Sequence, residues 1–146
     1  MKFGVFFAVA LAAGAMITVQ SVLNAALGEK IAAAGAVLTA TAVSMAILLL
    51  VVVCFPAAAN FKELPGLSQW YLYLGGVLGI MILAAPILAI PHIGATPTLT
   101  AIVLGQLILA LIVDHFGFMG FPRHSINWWR ISGVVLLCAG TYLIRR

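Results

Sequence analysis

Apolar residues run along this chain in five long blocks, each closed by a short cluster of glycine, proline or charged residues. A block of about 20 largely apolar residues is the length of one membrane-spanning helix. The blocks predict helices over about 3–27, 31–55, 69–90, 97–113 and 128–144. Gly28, Glu29 and Lys30 supply the first break, and Pro56 ends the second segment. The stretch from Pro56 to Ser68 holds Asn60, Lys62, Glu63, Pro65 and Gly66, a composition that suits a solvated turn. The third segment opens on Gln69, Trp70, Tyr71 and Tyr73, with aromatic residues of the kind that settle at the membrane–water boundary, and Pro86 is expected to kink it. Pro91 to Ala95 reads as a tight connection, with Thr96 as cap of a helix whose first residue is Pro97. Asp114, His115, Phe116 and Gly117 close that helix. The loop to Asn127 carries Gly120, Pro122, Arg123 and His124. The last segment starts with Trp128, Trp129 and Arg130 and stops at Arg145 and Arg146, so both ends carry interfacial anchors.

Composition sharpens this picture. Of 146 residues, 65% are hydrophobic and 7% charged, which excludes a water-soluble fold and leaves an all-α membrane protein, a single integral membrane domain over residues 1–146. Lys2, the apolar run from Phe3 to Ile17 and the triplet Ala13, Gly14, Ala15 have the outline of a secretory signal. Apolar character continues toward Leu27, however, and a retained helix is the expected reading. Cys54 and Cys138 both lie in apolar runs, where a thiol acts as a small hydrophobe. The net charge of +4 comes from basic residues placed singly or in pairs at segment ends, which suits anchoring at lipid headgroups and not binding to nucleic acid.

Five spans put the chain termini on opposite sides of the membrane. Lys2, Lys62, Arg123 and Arg130 then share one side, while Lys30, Arg145 and Arg146 share the other, a tally of 4 against 3. Positive charge therefore barely selects an orientation. Two arrangements follow: dual topology, with the chain inserting both ways or pairing with an oppositely oriented relative to build a transporter from inverted halves, or a single orientation set by other cues.

Polar residues within the apolar blocks mark candidate sites. Gln20 and Asn24 are one helical turn apart with Ser21 and Thr18 near them, a stripe whose amides could line a substrate path or hydrogen-bond to another helix. Gln106 sits near the middle of the fourth segment, with the same two readings. Asp114 and His115 follow about two turns later, where the carboxylate could accept from the imidazole, Arg123 or Arg130. They are candidates for gating or coupling, or for an interfacial salt bridge. Gly75 and Gly79 form G-x-x-x-G, and with Gly105, Gly133 and Gly140 they are expected to serve helix packing. His92 and His124 read as solvated loop residues. No G-x-S-x-G, phosphate loop, H-E-x-x-H or clustered metal-ligand pattern occurs, so no enzymatic activity, cofactor or metal is expected. Glu29, Glu63 and Asp114 all fall at segment ends, leaving no carboxylate in mid-membrane to serve a proton-driven exporter of cations.

Gln20 with Leu23-Asn24-Ala25 and Leu27, Trp70 followed by Gly75-Gly76 and Gly79, Pro91 with Gly94, Gly105-Gln106-Leu107, Asp114-His115-Phe116-Gly117, and the series Arg130, Gly133, Gly140 together resemble the small five-helix YdcZ-like inner-membrane exporters of the bacterial drug/metabolite transporter superfamily. The resemblance spans nearly the whole chain; its one departure is His92-Ile93 before Gly94. It implies a multi-pass bacterial inner-membrane protein, a half-transporter bundle of five transmembrane helices that occurs in paired or fused copies forming inverted halves. The expected function is secondary export of a small molecule by alternating access in a dimer. Gln20, Asn24 and Gln106 would bind a neutral or amphiphilic substrate, with Asp114 and His115 at the gate. The expected partners are membrane lipid and a second copy or homologous chain. A small-ion channel and a structural assembly protein remain as alternatives, distinguished by counterflow exchange and by co-purification with a defined partner. The cargo is not legible from sequence, because a shared fold does not specify what is carried.

Overall fold

The computed structural model describes residues 2–117 and 122–144, without the side chains of Lys2, Phe3, Lys62 and Leu67. Gly120 of the loop to Asn127 and the terminal anchors Arg145 and Arg146 lie outside the described residues, as do the Lys2 and Lys62 side chains. Every regular element among the described residues is helical. They are α1 (Lys2–Cys54), three short 3-10 turns (Pro56–Ala58, Phe61–Glu63 and Leu67–Tyr73), α2 (Leu74–Ile93), α3 (Ala95–Phe116) and α4 (Trp128–Ile144). They fall into two compact units, Met1–His92 and Ile93–Arg146.

In the first unit, α1 is two helical arms that meet at a break. Ile31 (φ −125°, ψ 18°) and Ala32 (φ 62°, ψ 162°) leave helical geometry, dividing it into arms 2–30 and 33–54. At 1.5 Å per residue the arms measure about 43 and 33 Å, each enough for a hydrocarbon core of about 30 Å. The break thus falls just after Gly28, Glu29 and Lys30, not at them. Gly28 stays helical because its missing side chain is needed for packing. A Cβ there would sit 2.5 Å from Ile87 Cγ2 and 3.8 Å from Ala36 Cβ. Ala36, Val37 and Ile87 form the buried cluster, with Leu27, Ala33, Leu83 and Ala84 against it. Small residues from both arms therefore admit α2 at close range, the usual device where lipid removes the hydrophobic drive between helices.

Ala32 bears the cost of the break. Its positive φ with extended ψ is a region that glycine occupies freely and a Cβ-bearing residue does not, at a cost on the order of 1–3 kcal/mol. Ala32→Gly should therefore raise the stability of the detergent-solubilised protein by about 1 kcal/mol, once the extra chain entropy of glycine is subtracted. Thermal unfolding would read this directly; a lower midpoint would contradict it.

The approach to α2 is tighter than the sequence suggests. Trp70, Tyr71 and Tyr73 lie in the 3-10 turn, and the α-helix starts at Leu74. Tyr73 Oη donates to the Pro65 carbonyl at 2.7 Å, tying the turn to the preceding loop. At its far end α2 continues through both Pro86 and Pro91 to Ile93, so Pro91 does not stop it. His92 is a last-turn helical residue, not a loop residue, and its Nδ1–H donates to the Leu88 carbonyl at 2.8 Å.

The second unit is an antiparallel helical hairpin. The residue capping the start of α3 is Gly94 (φ 83°, ψ 164°), not Thr96. Its backbone takes a conformation open to glycine, and the buried Thr98 hydroxyl donates to its carbonyl at 2.7 Å. At the other end Gly117 (φ 63°, ψ 46°) gives the left-handed cap, its N–H bonding the Val113 carbonyl at 2.9 Å. The helix thus runs past Val113 and takes Asp114 and His115 into its last turn. Asn127 caps α4 through Oδ1, which accepts from the Arg130 backbone N–H at 2.9 Å.

Very little of this apolar surface is covered. Among the described residues, the buried hydrophobic side chains are Ala25, Ala36, Val37 and Ile87, while large ones such as Phe6, Leu48, Met81 and Leu136 stand exposed. A surface of this kind is stable only against lipid or another protein chain. Three described helices are long and apolar enough to cross a membrane, Gly4–Cys54, Ser68–Ile93 and Ala95–Phe116. The shorter α4, about 26 Å long, reaches the lower limit of a span.

Candidate functional site

In the first unit, the one-turn spacing of Gln20 and Asn24 puts them on one face of α1. With Ala15, Met16, Val19 and Leu23 they line a shallow open groove of about 450 Å³. Gln20 is exposed and Asn24 half-buried, so the groove has an apolar floor and two amides. The two neighbours expected in this stripe behave differently. Ser21 is turned about 100° from Gln20 and is buried, and the Thr18 hydroxyl is taken up by the Gly14 carbonyl at 3.1 Å.

In the second unit, Gln106 lies at the midpoint of α3 and is exposed. A glutamine in that place costs little in water and a good deal in hydrocarbon unless its amide finds a partner. Gln20 and Asn24 belong to the first unit and Gln106 to the second.

The electrostatic feature of the hairpin is at its connection. Arg130 Nη1 donates to Asp114 Oδ2 at 3.0 Å, so of the partners expected for this carboxylate the structure selects Arg130. Each residue sits at the end of its helix that the helix dipole disfavours, a carboxylate in the last turn of α3 and a guanidinium in the first turn of α4. Pairing cancels both penalties. The backbone reinforces the junction, with the His124 N–H bonding the Asp114 carbonyl at 2.9 Å. His115 does not join the pair; its exposed ring meets Phe116 edge-on at 5.1 Å between centroids. Because both charged side chains keep a third or more of their surface, the pair is screened, and Asp114→Asn should lower stability by no more than about 1 kcal/mol. A thermal midpoint shift larger than a few degrees would show a deeper role.

Between α3 and α4 lie two further grooves that spacing alone does not reveal. One, about 630 Å³, is lined by Ile93, Pro97, Ala101, Leu104, Cys138 and Tyr142, among others. The second, about 360 Å³, runs below the ion pair along Leu107, Leu111, Gly133, Val134 and Leu137. Asn127, the cap that sets the pitch of α4 here, is a residue the sequence reading passes over, although an asparagine directly before an apolar helix is a capping signal. The glycines expected to pack, Gly75, Gly79, Gly105, Gly133 and Gly140, have nothing within 4 Å of an added Cβ, so each presents an open face within its own unit. Among the described residues no group of His, Cys, Asp and Glu is arranged to hold a metal ion.

A family model described as "Putative inner membrane exporter, YdcZ" matches residues 5–143, which takes in both units and every helix. The chain belongs to this family. Among curated proteins, inner membrane protein YdcZ of Escherichia coli (strain K12) is 33% identical over 88 residues, 60% of this chain. The chain spans 58% of the length of that relative. No solved structure matches. Family, relative and apolar helices agree on a multi-pass protein of the bacterial inner membrane, and the family description points to a transporter rather than an enzyme.

Proposed function

We propose that the chain is one half of a secondary transporter that exports a small molecule, crosses the membrane five times, and works by alternating access as a dimer of inverted copies. The observation that carries this reading is Gln106, exposed at the midpoint of a helix long enough to span. If α3 crosses the bilayer, that amide is about 15 Å from water on either side. An amide so placed needs a second protein surface or a hydrated path, and a path at the midplane between two halves provides both. Gln20 and Asn24 present the same chemistry on the open face of α1. Amides donate and accept but carry no charge, which suits a neutral or amphiphilic cargo. The chain's three acidic residues, Glu29, Glu63 and Asp114, all stand at or near helix ends or in the loop, which disfavours a cation-specific exporter. Asp114, with Arg130 and the exposed His115, is assigned to the gate, since the pair joins the two helices at the connection. The exposed faces at Gly75, Gly79, Gly105 and Gly140 are assigned to contacts with the second copy.

The test is a topology map in intact cells. Cys54 and Cys138 are replaced by alanine, and single cysteines are placed near each terminus. Labelling of each position from both sides in comparable amounts supports an inverted dimer of this chain. Labelling from one side only, in all molecules, would falsify that arrangement.

A further inference from the structure

We infer that the groove below the Asp114–Arg130 pair is a binding site for one membrane phospholipid with a phosphate and a primary ammonium, its phosphate on Arg130, its ammonium on Asp114 and one acyl chain along Leu107, Leu111, Val134 and Leu137. The site uses the pair that the transport reading assigns to the gate, but its test reads lipid retention alone and does not depend on transport.

Depth is the first argument. Trp128 and Trp129, 80% and 87% exposed, open α4 at the position where such side chains settle at the headgroup boundary. Arg130 is in this same first turn and Asp114 in the facing last turn of α3, so the ion pair lies at headgroup level. From there the apolar walls descend seven residues on each helix, Asp114 to Leu107 and Arg130 to Leu137, about 10 Å into the hydrocarbon. With about 360 Å³ the groove falls within the range of small-ligand sites. A charged mouth over an apolar trough is the outline of an amphiphile.

Charge complementarity names the headgroup. The guanidinium has five N–H donors and spends one on Asp114 Oδ2. Both side chains remain accessible, Arg130 at 34% and Asp114 at 43%. An anionic headgroup would satisfy Arg130 but meet the Asp114 carboxylate, and a lone cation would meet Arg130; each mismatch carries a like-charge penalty. A zwitterion laid against the pair sets opposite charges together at both ends. A quaternary ammonium lacks the N–H groups that would bond the carboxylate, so a primary ammonium binds better.

The full chain, purified in detergent, is offered phosphatidylethanolamine, phosphatidylcholine and phosphatidylglycerol of identical acyl chains, and bound lipid is counted by native mass spectrometry. Phosphatidylethanolamine should be retained as one lipid about tenfold more tightly than the other two, a 1.4 kcal/mol preference. Gly133→Leu places a side chain in the groove at a position where the protein leaves open space, and should abolish that bound lipid. Val135→Phe, on the same helix but about 200° round from Gly133 and outside the groove lining, should keep it. Val134→Phe is a second filler with the same expected loss, should Gly133→Leu not fold. Asp114→Asn should erase the preference for ethanolamine over glycerol while leaving a lipid bound. Equal retention of the three lipids, or native retention in the filled grooves, overturns the site and reduces it to unselective contact with bulk lipid.

Discussion

Replacing Gly28 by valine is expected to destabilise the Met1–His92 unit by about 2–3 kcal/mol, the cost of forcing extra atoms into a closed contact. Among the described glycines it is one of the few that a neighbour requires. A Cβ at residue 28 would lie 2.5 Å from Ile87 Cγ2, inside any real carbon–carbon contact. The opposing group is a methyl fixed at a β-branched centre, so it cannot rotate away cheaply. Ile87 is only 3% exposed, so its displacement disturbs Ala36 and Val37 as well. Gly28→Ala should show the same effect in smaller measure. The decisive comparison is a double-mutant cycle with Ile87→Leu, which removes the offending methyl while keeping an apolar side chain of equal size. Coupling of about 1 kcal/mol or more in favour of the double variant is expected in chemical or thermal unfolding. Strict additivity would mean that the two residues do not meet.

Gly28 also shows where sequence reading succeeds and where it stops. Apolar blocks and interfacial aromatics are enough to lay out helices over most of the chain, because in lipid every backbone polar group must be satisfied within the helix. The exact ends depend on tertiary contacts. A glycine beside Glu29 and Lys30 looks like a terminator, yet it stays helical because α2 needs the space, and the break passes to Ile31 and Ala32. Thr96 and Pro97 look like a cap and first turn, but Gly94 can take a positive φ that Thr96 cannot, so α3 begins earlier. Pro91 looks like a stop, and α2 runs through it.

The same division holds for the candidate sites. The Gln20–Asn24 face follows from helical periodicity, which is local, whereas the buried position of Ser21 depends on what packs behind it. Asp114 shows in the sequence as a carboxylate with several basic neighbours, and only the antiparallel return of α4 singles out Arg130. The grooves between α3 and α4 combine residues more than 20 apart in sequence, such as Leu111 and Val134, and no spacing rule reaches that far.

Gln106 gives the other large effect, and it can be measured without knowing the cargo. With Cys54 and Cys138 replaced, Gln106→Cys should react with a small water-soluble maleimide at least about tenfold faster than Ile108→Cys, since a thiol needs water to ionise and react. The two positions lie on one helix, differ in depth by about 3 Å and point about 200° apart, so depth alone cannot separate them. Both are exposed in the isolated chain, so the transport reading makes the contrast one of surroundings, with water expected at Gln106 and lipid at Ile108. A companion variant, Gln106→Leu, separates a substrate path from interhelical glue. No side-chain hydrogen bond joins Gln106 to another described residue, and leucine is better suited to hydrocarbon, so the monomer fold should be as stable or more so. If the amide lines a path, Gln106→Leu keeps the dimer and blocks maleimide access to deeper engineered cysteines. If it is glue, the dimer fraction falls instead and Gln106→Cys is as unreactive as Ile108→Cys, which would remove the residue that carries the transport reading.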